Sequence, residues 1–176
     1  MRGMIIRAST PADIAAAQAI YAHHVLTGTA SFELAPPSLE EMARRRSALT
    51  DKGLPWLVAE QDGRMLGYAY AGPYRTRPAY DWTVEDSIYI HPDSHGQGIG
   101  KALLTRLIDE CTALGYRQMV AVIGDSANAG SVGLHRSCGF HDAGILKAVG
   151  WKFGRWIDSV LMQRSLGDGA SQPITG

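Results

Sequence analysis

The stretch Val84-Glu85-Asp86-Ser87-Ile88-Tyr89-Ile90-His91-Pro92-Asp93-Ser94-His95-Gly96-Gln97-Gly98-Ile99-Gly100-Lys101-Ala102-Leu103-Leu104 decides the fold. An alternating strand runs into a turn with three alternate glycines. A long helix follows, with Leu103, Leu104, Leu107 and Ile108 on its inner side. Glycines let backbone N–H groups close around a ligand without obstruction by side chains. The first helical turn adds free N–H donors and the positive end of the dipole, so the bend suits phosphate oxygens. A ligand-free turn is the competing reading. It leaves three helix-weakening glycines without a use. A nucleotide P-loop is excluded because Ala102 follows Gly100-Lys101 where a hydroxyl residue is required, and His95 stands at the upstream glycine position. A dinucleotide fingerprint fails because Lys101 occupies the third glycine position.

Outward from this stretch, residues 4–8 read as a short strand. Thr10, Pro11 and Asp13 then start a helix that runs to about Leu26 and buries Ile14, Ile20, Tyr21 and Val25. A loop over residues 27–37 carries Ser31-Phe32-Glu33. Ser38 and Glu41 form a capping box for a second helix, to about Leu49. Residues 54–60 and 65–73 are strands joined at Asp62-Gly63, a hairpin signal. The loop 74–80 carries Arg75, Thr76 and Arg77, and residues 81–90 form the next strand. The helix over 98–114 is closed by Gly115 as a left-handed cap. Residues 118–123 are nearly all apolar, which predicts a central strand buried on both faces. A short helix over 128–138 ends at Gly139, and strands follow at 140–149 and 155–164. The order is β-α-α-β-β-β-α-β-α-β-β. It predicts an α/β (α+β) fold, a mixed sheet with helices on both faces. One domain over residues 1–166 is expected, with a polar, glycine-rich and mobile tail at 167–176.

Bulk properties narrow the partners. The 176 residues are 45% hydrophobic and 19% charged, and 17 basic side chains balance 17 acidic ones. Without a basic excess, no nucleic-acid partner is expected, and an anion site must be built locally. No apolar run suits a signal peptide or a membrane span, so a cytoplasmic protein is expected. Cys111 and Cys138 form no CxxC pair and read as reduced, buried thiols. None of the six histidines shares metal-ligand spacing with a carboxylate, so no metal is expected.

The segment His95-Gly96-Gln97-Gly98-Ile99-Gly100 resembles the acetyl-CoA signature of the GNAT acetyltransferases, Gln/Arg-x-x-Gly-x-Gly/Ala. His95 departs from the family's Gln or Arg. Further segments resemble the phosphinothricin and methionine sulfoximine acetyltransferase branch: Thr83-Val84-Glu85-Asp86-Ser87, Val120-Ala121-Val122-Ile123-Gly124, Leu134-His135-Arg136-Ser137-Cys138-Gly139-Phe140, Thr29-Ala30-Ser31-Phe32-Glu33, Gly150-Trp151-Lys152 and Trp156. The resemblance spans about residues 5–164. It implies a GNAT-like, mostly antiparallel sheet, acetyl-CoA as co-substrate and a homodimer in which the Phe32 loop and the C-terminal strands help build the pocket.

Acetyl transfer needs a neutral amine, a stabilised oxyanion and a leaving thiolate. Glu85 is the candidate base, directly or through water, and the resemblance assigns it that role. On the strand it shares a face with Thr83 and Ser87. Asp86 falls on the apolar face, so it is either paired or displaced by a bulge, and a bulge would free amides for the acetyl oxygen. His135 stands where many GNAT enzymes place a tyrosine, and the branch resemblance reads it as proton donor to the thiolate or as a proton relay. A buried packing histidine is the bland alternative. The cofactor set is Ile88, Tyr89, Ile90, His95, Gly96, Gln97, Gly98, Ile99, Gly100, Lys101, Asn128 and Ser131. Asn128 reads either as a hold on the pantetheine arm or as a helix cap. Arg75 and Arg77, flanking Thr76, would receive a carboxylate or phosphinate. Glu85, Asp86, Ser87 and Phe32 complete the substrate set, and Trp82, Tyr89, Trp151 and Trp156 are candidate walls. The implied substrate is an α-amino acid with a tetrahedral, polar end, such as methionine sulfoximine, methionine sulfone or phosphinothricin. Acetylation of a protein or peptide amine, or acyl-CoA binding without catalysis, remain alternatives.

Overall fold

A computed structural model describes residues 3–175. Strand β1 (Ile5–Ala8) leads through a 3₁₀ turn at Pro11–Asp13 into α1 (Ile14–Thr27). The Asp13 carboxylate accepts the Thr10 N–H at 2.7 Å and fixes the helix start. Helix α2 (Leu39–Thr50) begins at Ser38, whose hydroxyl accepts the Glu41 N–H at 3.1 Å. Strands β2 (Trp56–Gln61) and β3 (Arg64–Pro73) form a hairpin whose corner residues, Asp62 and Gly63, have φ of 51° and 78°. That pair of left-handed residues matches the twist of the flanking strands. Then follow β4 (Thr83–Ile90), α3 (Ile99–Ala113), β5 (Gln118–Gly124), α4 (Ala129–Ser137), β6 (His141–Lys152) and β7 (Arg155–Ser165).

The seven strands lie in the order β1-β2-β3-β4-β5-β7-β6. All neighbours are antiparallel except β4 and β5, which α3 connects. A parallel pair needs such a crossover. Helices α1 and α2 cover one face through Ile14, Ile20, Tyr21, Val25 and Met42 against Trp56, Val58 and Tyr68. Helix α3 covers the other through Leu103, Leu104 and Leu107, each fully buried. Burying each such leucine contributes about 1.5–3 kcal/mol.

The parallel pairing runs only from Thr83↔Gln118 to Asp86↔Ala121, so the last four residues of β4 have no partner on β5. The register of β4 on β3 is unbroken from Pro73↔Val84 to Gly67↔Ile90. The bulge offered as one option for this strand is therefore not formed. Splaying of β4 from β5 exposes the amides instead. Strand β5 is also not buried on both faces: Met119, Ala121 and Ile123 face α3, but Val122 is 43% exposed. Its second face lies beyond the reach of α1 and α2.

The C-terminal residues make defined contacts. Leu166 is fully buried, and the Arg117 guanidinium donates to the carbonyls of Gly169, Gln172 and Pro173.

Candidate active site

The splay of β4 from β5 opens a cleft of about 770 Å³, lined by the end of α1, the residue 28–30 loop, β4, the glycine turn, β5 and α4. Backbone alternation determines which β4 amides face it. The His91 N–H donates to the Leu66 carbonyl at 2.8 Å, so residues 91, 89, 87 and 85 bond toward β3. The amides of Ile88 and Ile90 then point into the gap left by β5. They are preorganised donors for an acyl oxygen and an extended, amide-bearing ligand.

The glycine turn lies across the same gap. Gly96 and Gly98 have φ of 77° and 75°, and a Cβ on either would meet nothing within 4 Å. They are needed for the left-handed backbone, not for lack of room. Gly98 caps α3 and leaves its first amides free. Gly100 differs. A Cβ there would lie 3.1 Å from Leu134 Cδ2, so this glycine lets α4 approach α3.

Of the cofactor set, Ile88, Tyr89, Ile90, His95, Gly96, Gly98, Ile99, Gly100, Lys101, Asn128 and Ser131 all line the cleft, whereas the exposed Gln97 does not. Asn128 is a helix cap: its Oδ1 accepts the Ser131 N–H at 3.2 Å. Its amide nitrogen has no partner among the described residues and remains available to a ligand.

Side-chain alternation places Glu85 and Asp86 on opposite faces of β4. Glu85 shares the α1/α2 face with Ser87 and Tyr70, which hydrogen-bond to each other. Burial and the neighbouring Asp86 charge push the Glu85 carboxyl above the ordinary range, and Arg75 partly offsets this. A raised carboxyl is a better base near neutral pH.

Asp86 turns out to be paired. His135 Nε2 donates to Asp86 Oδ2 at 2.7 Å, and Nδ1 donates to the Ser131 carbonyl at 2.8 Å. Neither acceptor can donate in return, so with Asp86 ionised the ring carries both protons. Burial alone would lower the His135 pKa, but the hydrogen bond and charge of Asp86, with the Ser131 carbonyl, raise it overall. His135 is 4% exposed and Asp86 6%, and the Phe140 ring packs edge-on against the imidazole. Asp86 Oδ1 is buried without a partner among the described residues.

The substrate set is less concentrated. Asp86 and Ser87 line the cleft, whereas Glu85, on the opposite face of β4, and Phe32 do not. Arg75, Thr76 and Arg77 lie on an exposed loop, with the Arg75 guanidinium 5.1 Å from the centre of the Tyr74 ring. The Arg75 loop leads into β4, and the Arg75 charge works against the rise in the Glu85 pKa. Trp151 and Trp156 pack edge to face on the exposed β6–β7 hairpin, and Trp82 is 43% exposed, so none of the three walls this cleft.

The Phe32 loop is clamped by Asp125 and Arg155, which the sequence did not single out, and by Lys152, quoted there without a role. Thr29 donates to Asp125 at 2.8 Å, Arg155 donates to the same carboxylate at 2.6 Å, and the buried Lys152 ammonium donates to the Ser31 carbonyl at 2.8 Å. The Phe32 ring packs where side chains on Gly124 and Gly150 would stand. A Cβ at Gly124 would come within 2.3 Å of the Thr29 carbonyl oxygen, which is backbone and cannot rotate away. Gly124→Ala should therefore displace this loop, cost about 1–3 kcal/mol in thermal unfolding and raise KM for the amine. Unchanged melting and KM would mean that the loop has another seat.

A turn suited to phosphate, a splayed parallel pair with free amides and a raised carboxylate fit a coenzyme-A-dependent acyl transfer site. The chain belongs to the GNAT acetyltransferase family: residues 6–161 match the acetyltransferase (GNAT) domain. It is an acetyl-CoA-dependent N-acetyltransferase. Its relatives include the phosphinothricin N-acetyltransferase of Alcaligenes faecalis, 59% identical over 157 residues that cover 89% of this chain and 80% of that one. The L-methionine sulfoximine/L-methionine sulfone acetyltransferase of Salmonella typhimurium is 40% identical over 96% of this chain and 98% of its own. Among solved structures, a phosphinothricin acetyltransferase from Sinorhizobium meliloti in complex with acetyl-CoA superposes with a TM-score of 0.95 at 48% identity, covering 98% of this chain and 93% of that one. These likenesses agree with the fold class and co-substrate that the sequence resemblance implied.

Proposed function

We propose that this enzyme acetylates the α-amine of a small amino-acid analogue with a tetrahedral, polar end: phosphinothricin, methionine sulfoximine or methionine sulfone. Acetylation removes the cationic amine that such glutamate-like compounds present to their targets, so the role is detoxification in the cytoplasm. The observation that carries this reading is Glu85, a half-buried carboxyl raised by its surroundings, together with Arg75 on the exposed loop that leads into the same strand. One takes the ammonium proton and the other holds the substrate's own anion.

Glu85 accepts the proton directly or through water, and the freed amine attacks the thioester carbonyl. Negative charge then develops on the carbonyl oxygen, where the Ile88 and Ile90 amides receive it. Collapse expels the thiolate and leaves the amide product. His135, doubly protonated against Asp86, is the acid assigned to that thiolate. A thiol of pKa about 8.5 leaves with only modest help. A homodimer is consistent with the exposed apolar surface of the β6–β7 hairpin, where Ile145, Leu146, Val149, Trp151, Phe153 and Trp156 are each about half exposed or more.

The test is thiol release from acetyl-CoA with methionine sulfoximine, phosphinothricin, an aminoglycoside and a peptide. Release with the first two is expected, whereas release with the peptide alone would move the substrate to protein amines. Arg75→Ala should raise KM for carboxylate-bearing amines about tenfold or more, the value of one charged hydrogen bond, with kcat little changed. An unaltered KM clears Arg75 of substrate binding.

A further inference from the structure

One group of side chains at the cleft mouth is not accounted for by the chemistry above. His23 and His24 come from the last turns of α1, and His95 comes from the start of the glycine turn. The His24 ring lies 5.6 Å from that of His23 and 6.3 Å from that of His95, centre to centre, and all three line the cleft. His24 Nε2 donates at 2.7 Å to the Ile90 carbonyl, which alternation places on the cleft edge of β4. Its Nδ1 has no partner among the described residues.

The charges around these rings are lopsided. Lys101 lines the cleft as well, and the His135 imidazolium is neutralised by Asp86. The two carboxylates that line it are committed elsewhere, Asp86 to His135 and Asp125 to Arg155. The other titratable group packed on His24 is Tyr89, whose hydroxyl burial keeps neutral. Three clustered imidazoles beside an amide-rich turn, with no free carboxylate among the described lining residues, suit an anion.

We propose that His24 and His95 belong to the phosphate-binding site, and that His24 takes up a proton as the diphosphate of acetyl-CoA settles on the glycine turn. His95 supplies a side-chain hydrogen-bond donor at the position where the family has Gln or Arg. In the free protein, burial pushes the His24 pKa down. The Ile90 carbonyl opposes this, and the neighbouring His23 and His95 add to it. A bound diphosphate reverses the balance by pairing the charges. The bound pKa then exceeds the free one. Affinity is therefore highest below the free pKa and falls as pH rises through the bound pKa.

The experiment is calorimetric titration of the intact enzyme, without amine, using CoA and dephospho-CoA. Dephospho-CoA lacks the 3′-phosphate, whose own ionisation near pH 6 would confuse the reading. Repeating the titration near pH 6.5 in buffers of different ionisation enthalpy counts protons. Net uptake approaching one proton is expected with both ligands, and the dephospho-CoA Kd should tighten about five- to tenfold between pH 7.8 and 5.8. His24→Gln preserves a donor to Ile90, and His95→Gln alters an exposed residue. The double variant should lose the uptake and flatten the pH dependence. If His24→Gln fails to fold, His95→Gln alone should still lower the uptake. No uptake, uptake confined to the 3′-phosphorylated ligand, or uptake unchanged in the variants would overturn the proposal.

Discussion

Glu85→Gln should lower kcat/KM by about 10²–10⁴ while acetyl-CoA binding is retained, because the substitution keeps the shape of the side chain and removes only its capacity to take a proton. The pH profile adds a second reading. Burial and the Asp86 charge raise the Glu85 pKa, so the wild-type acid limb should lie above the ordinary glutamate value of about 4.3. The basic form is lost as pH falls through that limb. In Glu85→Gln the limb should disappear, leaving the ionisation of the substrate amine to govern the profile. Steady-state kinetics from pH 5 to 9 would settle it. A full-speed Glu85→Gln enzyme with the same acid limb would transfer the base role elsewhere.

The second large effect is expected at His135. Its ring and Asp86 form an ion pair with almost no contact with solvent. Removing one partner of such a pair leaves an uncompensated buried charge and typically costs about 3–5 kcal/mol. His135→Ala should show that loss in urea unfolding, together with slower turnover. The pH dependence has a defined sign. The folded His135 pKa is raised, so its contribution is fully present below the unfolded value of about 6.5 and declines as pH rises through the folded value. The stability gap between wild type and His135→Gln should therefore be wider at pH 6 than at pH 9. A gap that widens toward alkaline pH would mean that the folded pair holds no proton and that the imidazole is neutral beside an ionised Asp86.

Much of the site was legible along the chain. Local rules act over a few residues, and they placed the caps at Thr10 and Ser38, the left-handed corner at Asp62-Gly63, and the phosphate turn before α3. Asp86 was recognisable as anomalous because a carboxylate on an apolar strand face must be paired or displaced. Which of the two occurs depends on His135, 49 residues away, and no spacing rule reaches that far. The same limit hid the clamp on the Phe32 loop, since Lys152 meets Ser31 across 121 residues. Strand β5 misled because an apolar run signals burial on both faces. Helix cover over one of its faces is missing, and only the arrangement of α1 and α2 reveals that.

What the chain determined by itself is therefore the order of its elements, the glycine turn before α3 and the two carboxylates of β4, all products of short-range periodicity and backbone preference. The tertiary structure alone decided where β4 parts from β5, that Glu85 and His135 serve opposite faces of one strand, and that three histidines meet at the cleft mouth. Those outcomes follow from packing helices on both faces of a twisted sheet, which brings together groups that no local rule connects.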